Sequence, residues 1–303
     1  MSWLLVTISF YLILAVVFLV DKYLLTGSIP NPHVYTFFVG FSSISVLIFV
    51  PFVRFYIPTF SQIILALLAG AIFIYALFWF YKSLQLFEAS RVIPAITGLV
   101  PLLTFGLVYI SSFGKEILSF PEIIAFILLI FGSFLITAEK GKFINLESLK
   151  ISAICAFLLS LSFVLLKYVY LVQPFWNGFI WTRIGSFLMA LCFFIFTREV
   201  REEVFQKRIS FKKKTMGIFI ANQAAGGGAS ILQNWAISLA PLAYVAVINA
   251  LQGIQYAFLL IFTTLISLKF PQLLKEEISK EIIFQKISAI LLIGAGLVML
   301  SFK

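Results

Sequence analysis

The chain has 303 residues, of which 62% are hydrophobic and 11% charged, and its 22 Lys and Arg outnumber its 12 Asp and Glu for a formal net charge of +10. A soluble globule of this composition would present a largely apolar surface to water, so the composition excludes one and calls for a bilayer. Nucleic acid is not the reading of the charge either, because the basic residues fall between apolar runs, as the positive-inside rule describes.

Apolar runs recur about every 30 residues, each near the roughly 20 residues a helix needs to cross a bilayer and about twice the length of an outer-membrane strand, which predicts helices and not a barrel. Ten spans are expected: Trp3–Leu25, Val34–Val53, Gln62–Leu84, Val92–Ser111, Ile123–Ala138, Ile151–Val172, Trp176–Thr197, Met216–Leu239, Leu242–Ile266 and Phe284–Phe302. The first run has no basic segment before it and no small-residue cleavage site after it, so it reads as a membrane helix and not a signal peptide. His33, the one histidine, follows in a Pro-rich turn and reads as an interfacial residue.

The third span carries an aromatic and basic stripe, Tyr75, Trp79 and Lys82, for which packing and substrate contact are both open readings. In the fourth, Pro94, Gly98 and Pro101 share a face with Thr97 nearby. Each proline removes a backbone donor, which predicts a kink or gate. Cys155 and Cys192 lie within apolar runs and offer no disulfide framework or metal site. Two cations stand inside spans, Lys167 in the sixth and Arg183 in the seventh. Lys167 can snorkel to the headgroups, and Arg183 can pair with a carbonyl or amide or meet an anionic substrate. Two longer connections, 198–214 and 270–285, set apolar residues at helical spacing among charges and read as interfacial helices.

The stretch from Gly217 to Ile266 is the polar centre of the chain. Asn222 and Gln223, the run Gly226-Gly227-Gly228, Gln233 and Asn234 occupy the eighth span, and Asn249, Gln252, Gly253 and Tyr256 the ninth. Amides are unfavourable in hydrocarbon unless they face a partner helix or a wet cavity, so this face is expected to look inward. The glycines allow either close packing or hinge motion.

Internal repetition follows. Lys22-Tyr23 matches Lys167-Tyr168, Gly40 matches Gly185, Ala95–Leu99 matches Val247–Leu251, and Leu128-Leu129-Ile130 matches Leu291-Leu292-Ile293. Five spans per copy is odd, so the copies must enter the membrane in opposite directions: a first repeat 1–138, a linker 139–150 and a second repeat 151–303.

Gly114-Lys115-Glu116-Ile117-Leu118-Ser119 followed by Ile127–Gly132 resembles a signature of EamA-type members of the drug/metabolite transporter superfamily. Thr97-Gly98-Leu99-Val100-Pro101 sits where that family has Ser-Leu-Glu-Pro, and Arg183 where many members carry an arginine. The chain departs from the pattern at Val100, at Gln252-Gly253 in place of Glu-Pro, and at Phe38 in place of the first copy's arginine. The resemblance implies an all-α integral membrane protein of ten transmembrane helices in two inverted five-helix repeats. It also implies a cofactor-free secondary transporter of a small polar or anionic metabolite.

Arg183, Lys167, Asn222, Gln223, Gln233, Asn249, Gln252, Thr97, Tyr75 and Trp79 are the candidate substrate residues, and Pro94, Gly98, Pro101 and Gly226 to Gly228 the candidate gate. No catalytic constellation or metal site is expected, since no paired carboxylates or His/Cys cluster stand within a span. The expected partners are the metabolite and the bilayer, most simply a bacterial plasma membrane, with a homodimer as an alternative assembly. A carrier or flippase for a lipid-linked group is the nearest rival function; a membrane scaffold or an intramembrane enzyme is a rival of another class.

Overall fold

In the computed structural model the described residues are 2–27, 31–87, 89–137, 146–206, 213–269 and 280–301. They form α1 (Ser2–Gly27), α2 (Pro32–Ser42) continuing as a 3-10 helix (Ser43–Phe52), α3 (Phe60–Leu86), α4 (Ala89–Ser111), α5 (Phe120–Thr137), α6 (Leu146–Val172), α7 (Phe175–Phe196), α8 (Arg198–Gln206), α9 (Lys213–Leu239), α10 (Tyr244–Ala250), α11 (Gly253–Lys269) and α12 (Lys280–Ser301). Among the described residues there is no strand, and each expected span coincides with a helix or a helix pair. Of the expected linker 139–150, residues 146–150 already belong to α6 and 138–145 lie outside the described residues.

Among the described residues six segments are long and apolar enough to cross a membrane: α1, α2 with its 3-10 extension, α3, α6, α7, and α10 with α11. Shorter apolar stretches lie in α4, α5 and α12. The outward faces confirm a lipid-like solvent. On α1, Leu5, Leu12 and Val16 are exposed at helical spacing, while Leu4, Tyr11 and Ala15 are buried. α9 is as long as α3 but falls outside the apolar set because it carries Asn222, Gln223, three consecutive glycines, Gln233 and Asn234. Its polarity is directed at protein, as the buried Asn222 and Asn234 attest.

The helices come together on small residues, as bilayer helices do when apolar surface gains nothing by leaving lipid. α3 lies along α6 and α7, α1 along α9, α4 along α6, and α5 along α12. Between α3 and α7 the contact is reciprocal: a Cβ on Gly70 would collide with the Thr182 carbonyl, and one on Gly185 with the Leu67 carbonyl. Hydroxyls tie the same interfaces, with Ser186 donating to the Gly70 carbonyl at 3.1 Å and Ser162 of α6 to the Ala69 carbonyl at 2.9 Å. Between α5 and α12, a Cβ on Gly132 would lie 3.0 Å from the Ala289 carbonyl, and one on Gly296 3.1 Å from that of Ala125.

Two expected spans are not uniform helices. The second tightens into a 3-10 helix from Ser43. The expected ninth span is broken at Leu251-Gln252, where three-residue turns replace α-helical bonds. The carbonyls freed there are satisfied from other helices: the Tyr11 hydroxyl of α1 donates to Ile248 at 2.8 Å and Ser133 of α5 to Ala250 at 2.9 Å. The fourth span behaves differently, since α4 runs unbroken through Pro94 and Pro101. The side chain of Pro94 lies outside the described residues.

Of the two expected interfacial segments, the first contains α8, whose Val200 is buried while Phe205 is 73% exposed. Most of the second, 270–279, lies outside the described residues.

Candidate functional site

Arg183 enters the protein from α7 and is held by α9 and by aromatic faces. Its Nη2 donates to the Ser230 hydroxyl. The guanidinium lies 5.0 Å from the Phe179 ring centroid and 5.9 Å from that of Phe73 on α3. A planar, weakly hydrated cation is suited to such faces. Its buried Nε has no hydrogen-bond partner, and among the described residues Arg183 makes no ion pair.

The residue that orients Ser230 is one the sequence reading did not single out for the site. Asn234, buried one turn further along α9, donates to the Ser230 carbonyl at 2.8 Å and accepts from the Tyr170 hydroxyl of α6 at 2.6 Å. Tyr170, Asn234, Ser230 and Arg183 thus form a chain of polar contacts across α6, α9 and α7. Beside it lies a pocket lined by Gly70, Phe73, Leu166, Thr182, Arg183, Gln233 and others, with about 10 Å³ of free space, room for roughly one water. Gln233 makes no hydrogen bond among the described residues and faces this pocket.

The other candidates stand elsewhere. Lys167 is buried and donates to the Ser238 carbonyl at 3.1 Å, near the C-terminal end of α9, which is a helix-end contact and not snorkelling. Asn222 donates to Asp21 of α1 at 2.6 Å, and Gln223 accepts from Ser42 at 3.2 Å, where α2 tightens into its 3-10 extension. Asn249 donates to Thr104 of α4 at 3.0 Å, binding α10 to α4. Gln252, at the break between α10 and α11, donates to the Tyr256 hydroxyl at 3.3 Å; Thr97 donates to its own helix at the Ile93 carbonyl. None of Asn222, Asn249 and Gln252 lines the Arg183 pocket. They belong to separate polar networks, because α9 and the α10/α11 break present their amides to different helices.

Tyr75 and Trp79 pack edge to face at 6.3 Å, with the Lys82 ammonium 4.8 Å from the Trp79 ring. Trp79 Nε1 is buried without a partner. Next to this stripe is an open pocket of about 340 Å³ lined by Asn31, Pro32, His33, Phe78, Lys82, Gln85 and Glu199.

The candidate gate residues divide as well. A Cβ added at Gly98 would meet only Phe134, at 3.9 Å. Pro101 is buried within a continuous helix, and the preceding carbonyl, Val100, accepts from both Thr104 at 2.7 Å and Ser160 at 3.0 Å. A Cβ at Gly227 or Gly228 would meet nothing within 4 Å, and at Gly226 only Val17, at 3.8 Å. Close packing therefore does not account for the run, in contrast to Gly70 and Gly185.

Among solved structures, one described only as the crystal structure of a protein superposes with a TM-score of 0.62, covering 99% of this chain and 96% of that chain at 17% identity. That likeness shows the fold alone. No family model matches the chain, and no curated protein matches it. Among the described residues no three His, Cys, Asp or Glu gather into a group that could hold a metal ion.

Proposed function

We propose that the chain is an EamA-type secondary transporter that moves a small polar or anionic metabolite across a bacterial plasma membrane by alternating access. In this reading the helices make ten crossings arranged as two inverted five-helix repeats. The observation that carries the proposal is Arg183: a guanidinium within a membrane helix, cradled by Phe179 and Phe73, with no acidic partner among the described residues and a buried Nε left unpaired. A charge in a span costs roughly 2.5 kcal/mol or more at the bilayer centre, and such residues pair with something or mark a substrate path. A visiting carboxylate or phosphate would satisfy the open donor and match the planar fork.

Three features support alternating access. The pocket holds about one water, so a metabolite needs α9 to move away from α3 and α7. In the glycine run on α9, the Cβ positions of Gly227 and Gly228 meet nothing that would oppose such a movement. The break between α10 and α11 is of the kind transporters place at their binding centres, although here Tyr11 and Ser133 occupy its free carbonyls.

The test is a thermal-shift screen of the purified protein against carboxylate- and phosphate-bearing metabolites, since a ligand of the folded state raises apparent stability by mass action. At least one such compound is expected to raise Tm and to exchange across proteoliposomes loaded with it. Stabilisation without exchange would favour a scaffold or an enzyme.

A further inference from the structure

A second charged group lies where the helices meet. Asp21 stands about one and a half turns before the end of α1. It is only half-buried, yet both of its hydrogen-bonded neighbours are side chains of other helices. The Tyr35 hydroxyl of α2 and the Asn222 amide of α9, the latter at 2.6 Å, donate to the same oxygen, Oδ1. The other oxygen makes no hydrogen bond among the described residues. Around this group, Leu24, Tyr35, Phe37, Tyr81 and Phe219 form one apolar cluster.

The described groups that face the carboxylate carry no compensating charge. From α2 it meets Tyr35, from α3 Tyr81, whose ring packs edge to face on Tyr35 at 4.9 Å, and from α9 Asn222. His33, Lys82 and Glu199 belong to the open pocket nearby, and none hydrogen-bonds to Asp21. A carboxylate in apolar surroundings with neutral donors alone is costly, and taking up a proton removes that cost.

We propose that Asp21 is a proton-binding site that latches α9, and hence the Arg183 pocket, to α1. Deprotonated, Oδ1 accepts two charge-assisted hydrogen bonds and holds Asn222 against α1. When a proton from water bonds to the free oxygen, the carboxyl group becomes neutral, both hydrogen bonds weaken to neutral strength, and α9 is released; loss of the proton to water restores the latch. α9 transmits the effect because Asn222 is followed along the same helix by Gly226, whose Cβ position meets only Val17, and by Gly227 and Gly228, whose Cβ positions meet nothing within 4 Å. Beyond them come Ser230, which accepts from Arg183, and Gln233 and Asn234 of the pocket. The sequence repeat points to the same place. With Lys22 laid on Lys167, Asp21 falls on Leu166; with α9 laid end to end on α3, Asn222 falls on Ala69; and both Leu166 and Ala69 line the Arg183 pocket. The consequence, proton-coupled movement of substrate, rests on the transporter reading.

The test uses the full chain in lipid nanodiscs without substrate. Infrared difference spectra between pH 5 and pH 8 are expected to show the carbonyl stretch of a protonated carboxylic acid appearing on acidification. The band should vanish in Asp21→Asn and persist with a shifted midpoint in Tyr35→Phe. Protection of the amides of residues 217–234, taken relative to intrinsic exchange at each pH, should fall severalfold at the acidic end in the wild type and be low at both pH values in Asp21→Asn. A band unchanged by Asp21→Asn, one displaced by sodium at constant pH, or protection of α9 that does not respond to pH would overturn the proposal. Neither readout involves a transported compound, so a negative result leaves the transporter reading intact, and failed transport leaves the protonation result standing.

Discussion

Arg183 has two kinds of neighbour, and they set what its substitution should do. The Ser230 hydroxyl and the rings of Phe179 and Phe73 position the guanidinium, while the unpaired Nε and the adjacent Gln233 remain for a ligand. Lysine keeps the charge but loses the planar stack and the fork, so Arg183→Lys should bind a ligand anion weakly and leave the fold intact. Arg183→Gln removes a hydrogen bond to a charged group, a loss of roughly 1.5 to 3 kcal/mol, or about tenfold or more in affinity. Legibility at this scale depended on contrast. An arginine within an apolar run is visible in the sequence, and so is Gln233. Asp21 was visible only as an acid near a span end, because Tyr35 lies 14 residues away and Asn222 lies 201 away. The pairing of Asn234 with Tyr170 was hidden for the same reason: residue type is local information, but hydrogen-bond partners follow from the packing of distant helices.

At the level of elements, glycines of the same type serve opposite ends. Gly70→Ala should be strongly destabilising, since its Cβ would collide with the backbone of α7 and backbone cannot swing aside; overpacking of this kind costs about 1 to 3 kcal/mol. Gly227→Ala meets open space and should stabilise α9 by up to about 1 kcal/mol through helix propensity, while slowing transport if α9 must flex there. Unfolding of the two variants in mild detergent, set beside their exchange rates, checks both halves of this expectation. The break between α10 and α11 makes its own prediction. Tyr11→Phe and Ser133→Ala each leave a buried carbonyl without its donor, and each should cost about 0.6 kcal/mol and no more than about 1.7, the mean and maximum for such bonds in membranes. Chemical unfolding of the single variants and their pair provides the check. Hydropathy made the location of the helices legible, whereas the 3-10 extension of α2 and the break after Ala250 were not. An apolar run fixes where a helix crosses but says little about local winding, which is decided by donors on neighbouring helices.

On the scale of the whole molecule, charge predicts orientation. Lys82, Arg198 and Arg201 belong to the connections rich in basic residues, against Arg54 and Lys115 on the opposite side. By the positive-inside rule the crowded side is cytoplasmic and the N-terminus external. EamA-type proteins are expected to have the reverse. A cysteine placed at Glu202 should resist a membrane-impermeant reagent in intact cells, and one at Lys115 should react, in a background with Cys192 replaced; the opposite pattern would give the family's orientation. The membrane setting was legible in composition, because no other solvent suits so apolar a chain, and the helices in the length of the apolar runs. The meeting of expected site residues was not legible. Asn222, Asn249 and Gln252 share a polar character in the sequence, but their partners are separate: Asp21 on α1, Thr104 on α4, and Tyr256 one turn further along the same segment.

The claim on which the account turns is that Arg183 receives the substrate. Its most direct measurement is binding and proteoliposome exchange of a stabilising carboxylate or phosphate compound by the wild type and by Arg183→Gln, each first shown to unfold cooperatively at a similar temperature. Arg183→Gln is expected to lose the ligand-induced rise in Tm and to exchange at least about tenfold more slowly. Equal stabilisation and equal exchange by the two proteins would contradict the claim, and would make Arg183 a tie between α7 and α9.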